Sequence, residues 1–163
     1  MIILSGILTG LYACGELKKE INLLEDVLVI MEMMDNHTMY SKETYLECFR
    51  YLKNKTQGPG KIWTEAIYDE LLSCNGKNFA QVWQSKLKIL ENNGLKKQEL
   101  NVISEFGSNL TNNDRKMLIR MHEIYIERLR HIHDNLQCEY EKKAGMYRSL
   151  GIMAGLLITV ILI

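Results

Sequence analysis

Residues 144–163 read AGMYRSLGIMAGLLITVILI and carry one charge, Arg148. A helix crossing the hydrocarbon core of a bilayer needs about 20 mostly apolar residues at about 1.5 Å of rise each. The run reaches that length if Arg148 snorkels back to the surface. Leu150, Ile152, Leu156, Leu157, Ile158, Val160 and Ile161 are then the anchoring side chains. This feature predicts a chain held in a membrane at its C-terminal end and working at a membrane surface.

Residues 1–15, MIILSGILTGLYACG, also lack charge. One reading is a short membrane helix anchored by Ile2, Leu4, Ile7, Leu8 and Leu11 that runs on into a helix from Glu16. A cleaved signal peptide is a second reading. A lipoprotein tethered through Cys14 is a third, because Leu11-Tyr12-Ala13-Cys14 resembles a lipoprotein cleavage box. Both signal readings expect a positive n-region, and no Lys or Arg precedes Cys14, so the membrane helix is preferred. Its rise of about 22 Å falls short of a core of about 30 Å and calls for local thinning. Lys18 and Lys19 flank the first apolar segment, and Lys142, Lys143 and Arg148 flank or enter the last. The positive-inside rule places the middle of the chain in the cytoplasm. The predicted organisation is a membrane segment over 1–15, a cytoplasmic domain over 16–143 and a transmembrane helix over 144–163.

Charge in the middle is balanced, with 20 Lys and Arg against 20 Asp and Glu, all between Glu16 and Arg148. A nucleic-acid binder would show a basic stripe to neutralise phosphates, and none is present. Pro59 is the single proline, and the apolar residues recur at helical spacing, so the middle reads as an all-α bundle of about six helices. Leu17, Ile21, Leu24, Leu28 and Met31 form an a/d seam from Glu16 to Asn36. Ser41 is the expected cap of a second helix carrying Leu46, Phe49 and Leu52. Gln57-Gly58-Pro59-Gly60 reads as the turn that ends it. Ile62, Trp63, Ile67, Leu71 and Leu72 follow, then Asn78 as the cap of a helix through Trp83, Leu87 and Leu90. Val102, Ile103 and Phe106 mark a short fifth helix, with Gly107 at its C′ position. From Asp114 no breaker interrupts Leu118, Met121, Tyr125, Leu129, Ile132, Leu136 and Tyr140, so the last helix is expected to run into the terminal anchor.

Sites for chemistry are not legible. His122-Glu123 opens like HExxH, but Ile126 holds the second ligand's place. His131 and His133 point about 200° apart on a helix and cannot share a metal. Gly60-Lys61 and Gly76-Lys77 lack the earlier glycine of a phosphate loop, where Lys55 and Leu71 stand. Cys14, Cys48, Cys74 and Cys138 form no CxxC pair and read as free thiols. The expectation is a protein without metal, cofactor or catalytic residues.

Three strings resemble the stage III sporulation protein AB family. Met146-Tyr147-Arg148-Ser149-Leu150-Gly151 is similar to a family string that leads into the last membrane segment. Phe106-Gly107-Ser108-Asn109-Leu110 with Asp114-Arg115 resembles a second, and Asn78 through Trp83 a third. Thr111 stands where the family usually has glycine, and Leu118 where it often has glutamine. The positions carrying the resemblance are Trp83, Phe106, Gly107, Leu110, Asp114, Arg115, Tyr147 and Gly151. The family is similar to the platform proteins of type II secretion and type IV pilus machines. The resemblance therefore implies a subunit of the channel complex between mother cell and forespore. It also implies a place in the mother-cell membrane, with a secretion-type ATPase and other membrane subunits of the complex as partners, alongside lipid.

The competing reading is a tail-anchored helical adaptor of the fusion-protein type, which has no use for the apolar N-terminal segment. Two weaker surfaces are a patch at Lys61-Ile62-Trp63 and Gly151-x-x-x-Gly155. The second has the small-residue spacing that lets membrane helices pair, as a homo-oligomer would require.

Overall fold

The structure is a computed structural model that describes residues 2–40, 44–73, 76–110 and 115–162. Of 2–11, 38–40, 115–116, 152 and 154–162 it describes the backbone alone. Among the described residues there are six helices and no strand: α1 (Ile2–Tyr40), α2 (Tyr45–Lys55), α3 (Gly58–Leu72), α4 (Phe79–Asn92), α5 (Lys97–Asn109) and α6 (Arg115–Leu162).

The a/d seam of α1 is buried in full, at Leu17, Ile21, Leu24, Leu28 and Met31. Its partner is α6, which buries Leu118, His122, Tyr125, Leu129 and Ile132. The two helices run antiparallel. Asp35 meets His122, Glu32 meets Arg130, and the Lys18 ammonium lies 5.4 Å from the centre of the Tyr140 ring. Positions that rise along α1 therefore fall along α6. The four shorter helices pack on their sequence neighbours, α5 leans on α6, and α2 and α3 reach back to α1. This closes a bundle around Phe49, Trp63, Ile67, Trp83, Leu90, Ile103 and Phe106. Each such side chain contributes about 1.5–3 kcal/mol on burial.

The helix starts differ from expectation in two places. Ser41 lies outside the described residues, and the cap of α2 is Thr44, whose hydroxyl accepts the Glu47 N–H while Glu47 returns to the Thr44 N–H. This reciprocal capping box satisfies two donors at once. Gly58-Pro59-Gly60 is not a free turn but the first turn of α3. Gly58 supplies a φ of +55°, and proline, which has no N–H to lose, fits the opening turn. Asn78 caps α4 as expected, again in a capping box with Gln81.

Gly107 is also displaced from its expected place. It lies inside α5, which continues to Asn109 and caps at Leu110. Its missing side chain is needed for packing rather than for a helix stop, as described below.

The expected membrane spans are not found: among the described residues no helix is long and apolar enough to cross a membrane. The side chains of Ile2, Leu4, Ile7, Leu8, Leu11, Ile152, Leu156, Leu157, Ile158, Val160 and Ile161 lie outside the described residues. Leu150 and Met153 are exposed. α6 runs as one helix of 48 residues, about 72 Å by rise.

Candidate functional site

The antiparallel pairing brings both chain ends to the same end of the bundle. Lys18 of α1 lies level with Tyr140 of α6, since its ammonium sits over the Tyr140 ring. The five basic residues singled out in the sequence therefore collect toward one end of the helix pair, with Arg148 about 12 Å beyond Tyr140 along α6. Lys18, Lys19, Lys142 and Arg148 are exposed and Lys143 half-buried. Lys19 pairs with Glu16 at 2.8 Å and Lys143 with Glu139 at 2.6 Å. Hydrogen bonding to those carboxylates raises both ammonium pKa values, so both groups stay charged.

The resemblance positions fall into two groups. Trp83, Phe106, Gly107 and Leu110 meet in the core where α4 crosses α5. Trp83 is fully buried and donates its Nε1–H to the Ile103 carbonyl at 2.8 Å. A Cβ built on Gly107 would lie 2.1 Å from Trp83 Cδ1, so glycine is what lets the indole lie against the α5 backbone. Phe106 is tilted against Trp83 at 5.8 Å and against His122 at 4.5 Å. The Leu110 carbonyl accepts the Tyr45 hydroxyl at 2.7 Å, tying α2 to the end of α5. Tyr147 and Gly151 lie apart, on α6 beside the basic residues. Asp114 lies outside the described residues, and Arg115 opens α6 with its side chain not described.

At the other end of the bundle α1 and α6 frame an open groove of about 860 Å³. Its lining carries Glu32 and Asp35 from α1, and Glu123, Ile124, Ile126, Glu127, Arg128, Arg130 and His131 from α6. Arg130 bridges Glu32 at 2.5 Å and Glu127 at 3.3 Å, and the bond to Glu32 holds its guanidinium pKa up. Below the groove Asp35 Oδ1 lies 2.6 Å from Nδ1 of the fully buried His122. By helix rise the groove stands about 20–25 Å from Lys18 and Lys19.

Sequence reasoning missed this pair. His122 falls on the inward stripe of α6 between Leu118 and Tyr125, which was a usable signal. Its partner stands 87 positions away, and no local pattern points there. Trp63 and Trp83 are both core residues, whereas Ile62 beside Trp63 is exposed. No group of three or more His, Cys, Asp or Glu that could hold a metal occurs among the described residues.

The sequence model of a family described as stage III sporulation protein AB (spore_III_AB) matches residues 1–163. The chain belongs to that family. A solved structure titled stage III sporulation protein AB (SpoIIIAB) matches with a TM-score of 0.71 at 16% identity. The match covers 76% of this chain and 97% of the solved one. At that identity the likeness establishes the shared helical fold. Comparison with curated proteins finds no match. Membership in the stage III sporulation protein AB family makes the chain a sporulation protein and agrees with the resemblance carried by Trp83, Phe106, Gly107 and Leu110.

Proposed function

We propose that this chain is a membrane-anchored, non-enzymatic platform subunit of the stage III sporulation complex. In this reading both apolar ends span the mother-cell membrane around the forespore. The helical domain faces the cytoplasm, where it engages a secretion-type ATPase and neighbouring membrane subunits. The observation that carries it is the antiparallel α1–α6 pairing. It sets both apolar ends and the basic collar of Lys18, Lys19, Lys142, Lys143 and Arg148 at one end, and leaves the groove at the other. Collar and lipid headgroups attract each other, so the groove end is held away from the bilayer. A docked ATPase would meet the ladder of Glu32, Glu127 and Arg130 there, where charge complementarity sets register.

The test is co-purification of the full-length chain, in detergent, with the secretion-type ATPase of the same complex. The wild type retains the ATPase. A variant with Glu127→Lys and Arg130→Glu, both exposed, loses most of it while keeping its helical content. Retention undiminished in that variant removes the groove from the reading. Topology is read separately on Cys138, an exposed free thiol. Labelling by a membrane-impermeant maleimide in intact cells would place the domain outside and overturn the platform reading in favour of the lipoprotein. The tail-anchored adaptor is decided by deleting 1–14: an adaptor stays membrane-bound and functional.

A further inference from the structure

Near the collar end, α1 meets the start of α5 through two carboxyls that are almost wholly removed from water. Glu20 on α1 is 3% exposed and Glu99 on α5 is 2% exposed. Both are tied to one residue. The Lys96 ammonium reaches Glu20 Oε2 at 2.7 Å, and the Lys96 backbone N–H donates to Glu99 Oε2 at 3.0 Å. The other Glu20 oxygen, Oε1, is buried with no hydrogen-bond partner.

Two buried carboxyls tied to one lysine, Glu20 through its ammonium and Glu99 through its backbone N–H, leave one more negative than positive charge if both are ionised, an arrangement that favours protonation of one of them. The ammonium is also largely exposed, so water weakens its neutralising effect. Lys96 pairs with Glu20, which leaves Glu99 as the group to be neutralised. We propose that Glu99 is protonated in the folded protein and that Glu20, Lys96 and Glu99 form a proton-binding latch between α1 and the start of α5.

The surroundings agree. Burial pushes the Glu99 carboxyl up and Glu20 pushes it further, against the backbone hydrogen bonds and Lys96 that favour its charged form. From α6, Glu139 also feels Lys96 but is held ionised by its bond to Lys143. In the turn from α4, Leu90 and Leu95 are buried, and the Leu95 N–H bonds back to the Leu90 carbonyl. Loss of the proton to solvent sets Glu99 against Glu20 and loosens the α4–α5 turn from α1. The sign follows from the raised pKa. The latch contributes fully below the ordinary glutamate value of about 4.3 and is lost as pH rises through the folded value.

The test uses the full-length chain in detergent micelles between about pH 5 and about pH 8. Infrared difference spectra of the wild type show a protonated carboxyl stretch that disappears as pH rises. Glu99→Gln lacks the band, and its unfolding midpoint no longer falls over the part of the range where the wild type loses a few degrees. In Glu20→Gln the band vanishes at lower pH, because the like charge is gone. Absence of the band in the wild type, or its persistence in Glu99→Gln, overturns the proposal. If Glu99→Gln does not fold, wild type and Glu20→Gln decide: a band that Glu20→Gln leaves unmoved is equally fatal.

Discussion

Replacing Gly107 by alanine is the sharpest probe of the α4–α5 crossing. The added Cβ would lie 2.1 Å from Cδ1, 2.3 Å from Nε1 and 2.4 Å from Cγ of Trp83. These atoms belong to a rigid ring, not to the end of a flexible side chain, and the ring is enclosed by Trp63, Phe79 and Phe106. Either α5 or the indole must move. Overpacking of this kind costs about 1–3 kcal/mol. A shifted indole also loses its bond to Ile103, and an unmade buried hydrogen bond costs about 1–3 kcal/mol. Alanine recovers about 1 kcal/mol of helix propensity. The net expectation for Gly107→Ala is destabilisation of about 1–5 kcal/mol, or a midpoint lowered by about 2–20 °C at about 2–4 °C per kcal/mol. The assay is denaturant and thermal unfolding of the full-length chain followed by far-UV circular dichroism, with tryptophan fluorescence as the local reporter. Gly145→Ala is the control, since nothing lies within 4 Å of a Cβ there, and it should be neutral or slightly stabilising. A Gly107→Ala protein within about 1 kcal/mol of wild type would refute the close-approach argument.

Three further outcomes follow from the described contacts. Asp35→Ala and His122→Ala should each destabilise by about 1–3 kcal/mol, and a double-mutant cycle should show strong coupling between them; additivity would sever the pair. Glu70 bonds both Lys77 and Lys86, which lower its pKa from 4.5 to about 2. Its contribution is therefore present above the ordinary value and lost as pH falls toward about 2, so Glu70→Gln should flatten the acid limb of the stability profile; an unchanged limb argues against that link. Thr44→Ala should lower stability by about 1 kcal/mol through loss of the α2 cap, read as a shift in the denaturant midpoint, with no shift counting against Thr44 as the cap.

What was legible in the chain was what repeats or is local. Leu17, Ile21, Leu24, Leu28 and Met31 declare their face by spacing, and Asn78 declares a helix start by standing three residues before Gln81. Gly107 was misread because a glycine near the end of an apolar-periodic stretch usually stops a helix. Only the position of Trp83 on a different helix shows that it is there to be bare. Gly58-Pro59-Gly60 was misread because the same residues serve as a turn or as a first helical turn, and the choice is made by what packs next. A Cβ on Gly60 would stand 3.2 Å from Asp26 Cβ, a neighbour brought in from α1. Glu20 and Glu99 carry no local signal of burial, since their burial depends on where α5 lands against α1.

The pairing of α1 with α6 also has a mechanical side. Neither helix contains proline, and each continues unbroken from the groove region to the apolar end of the chain. Two helices locked side by side resist bending more than either does singly. A force applied to the far tip is then passed along the pair as tilt rather than absorbed in a hinge. Over the length of α6, about 72 Å, a rotation of 5° about one end sweeps the other sideways by roughly 6 Å. The domain is therefore shaped as a lever arm, whose stroke is set by helix length and whose stiffness is set by the seam from Leu17 to Met31.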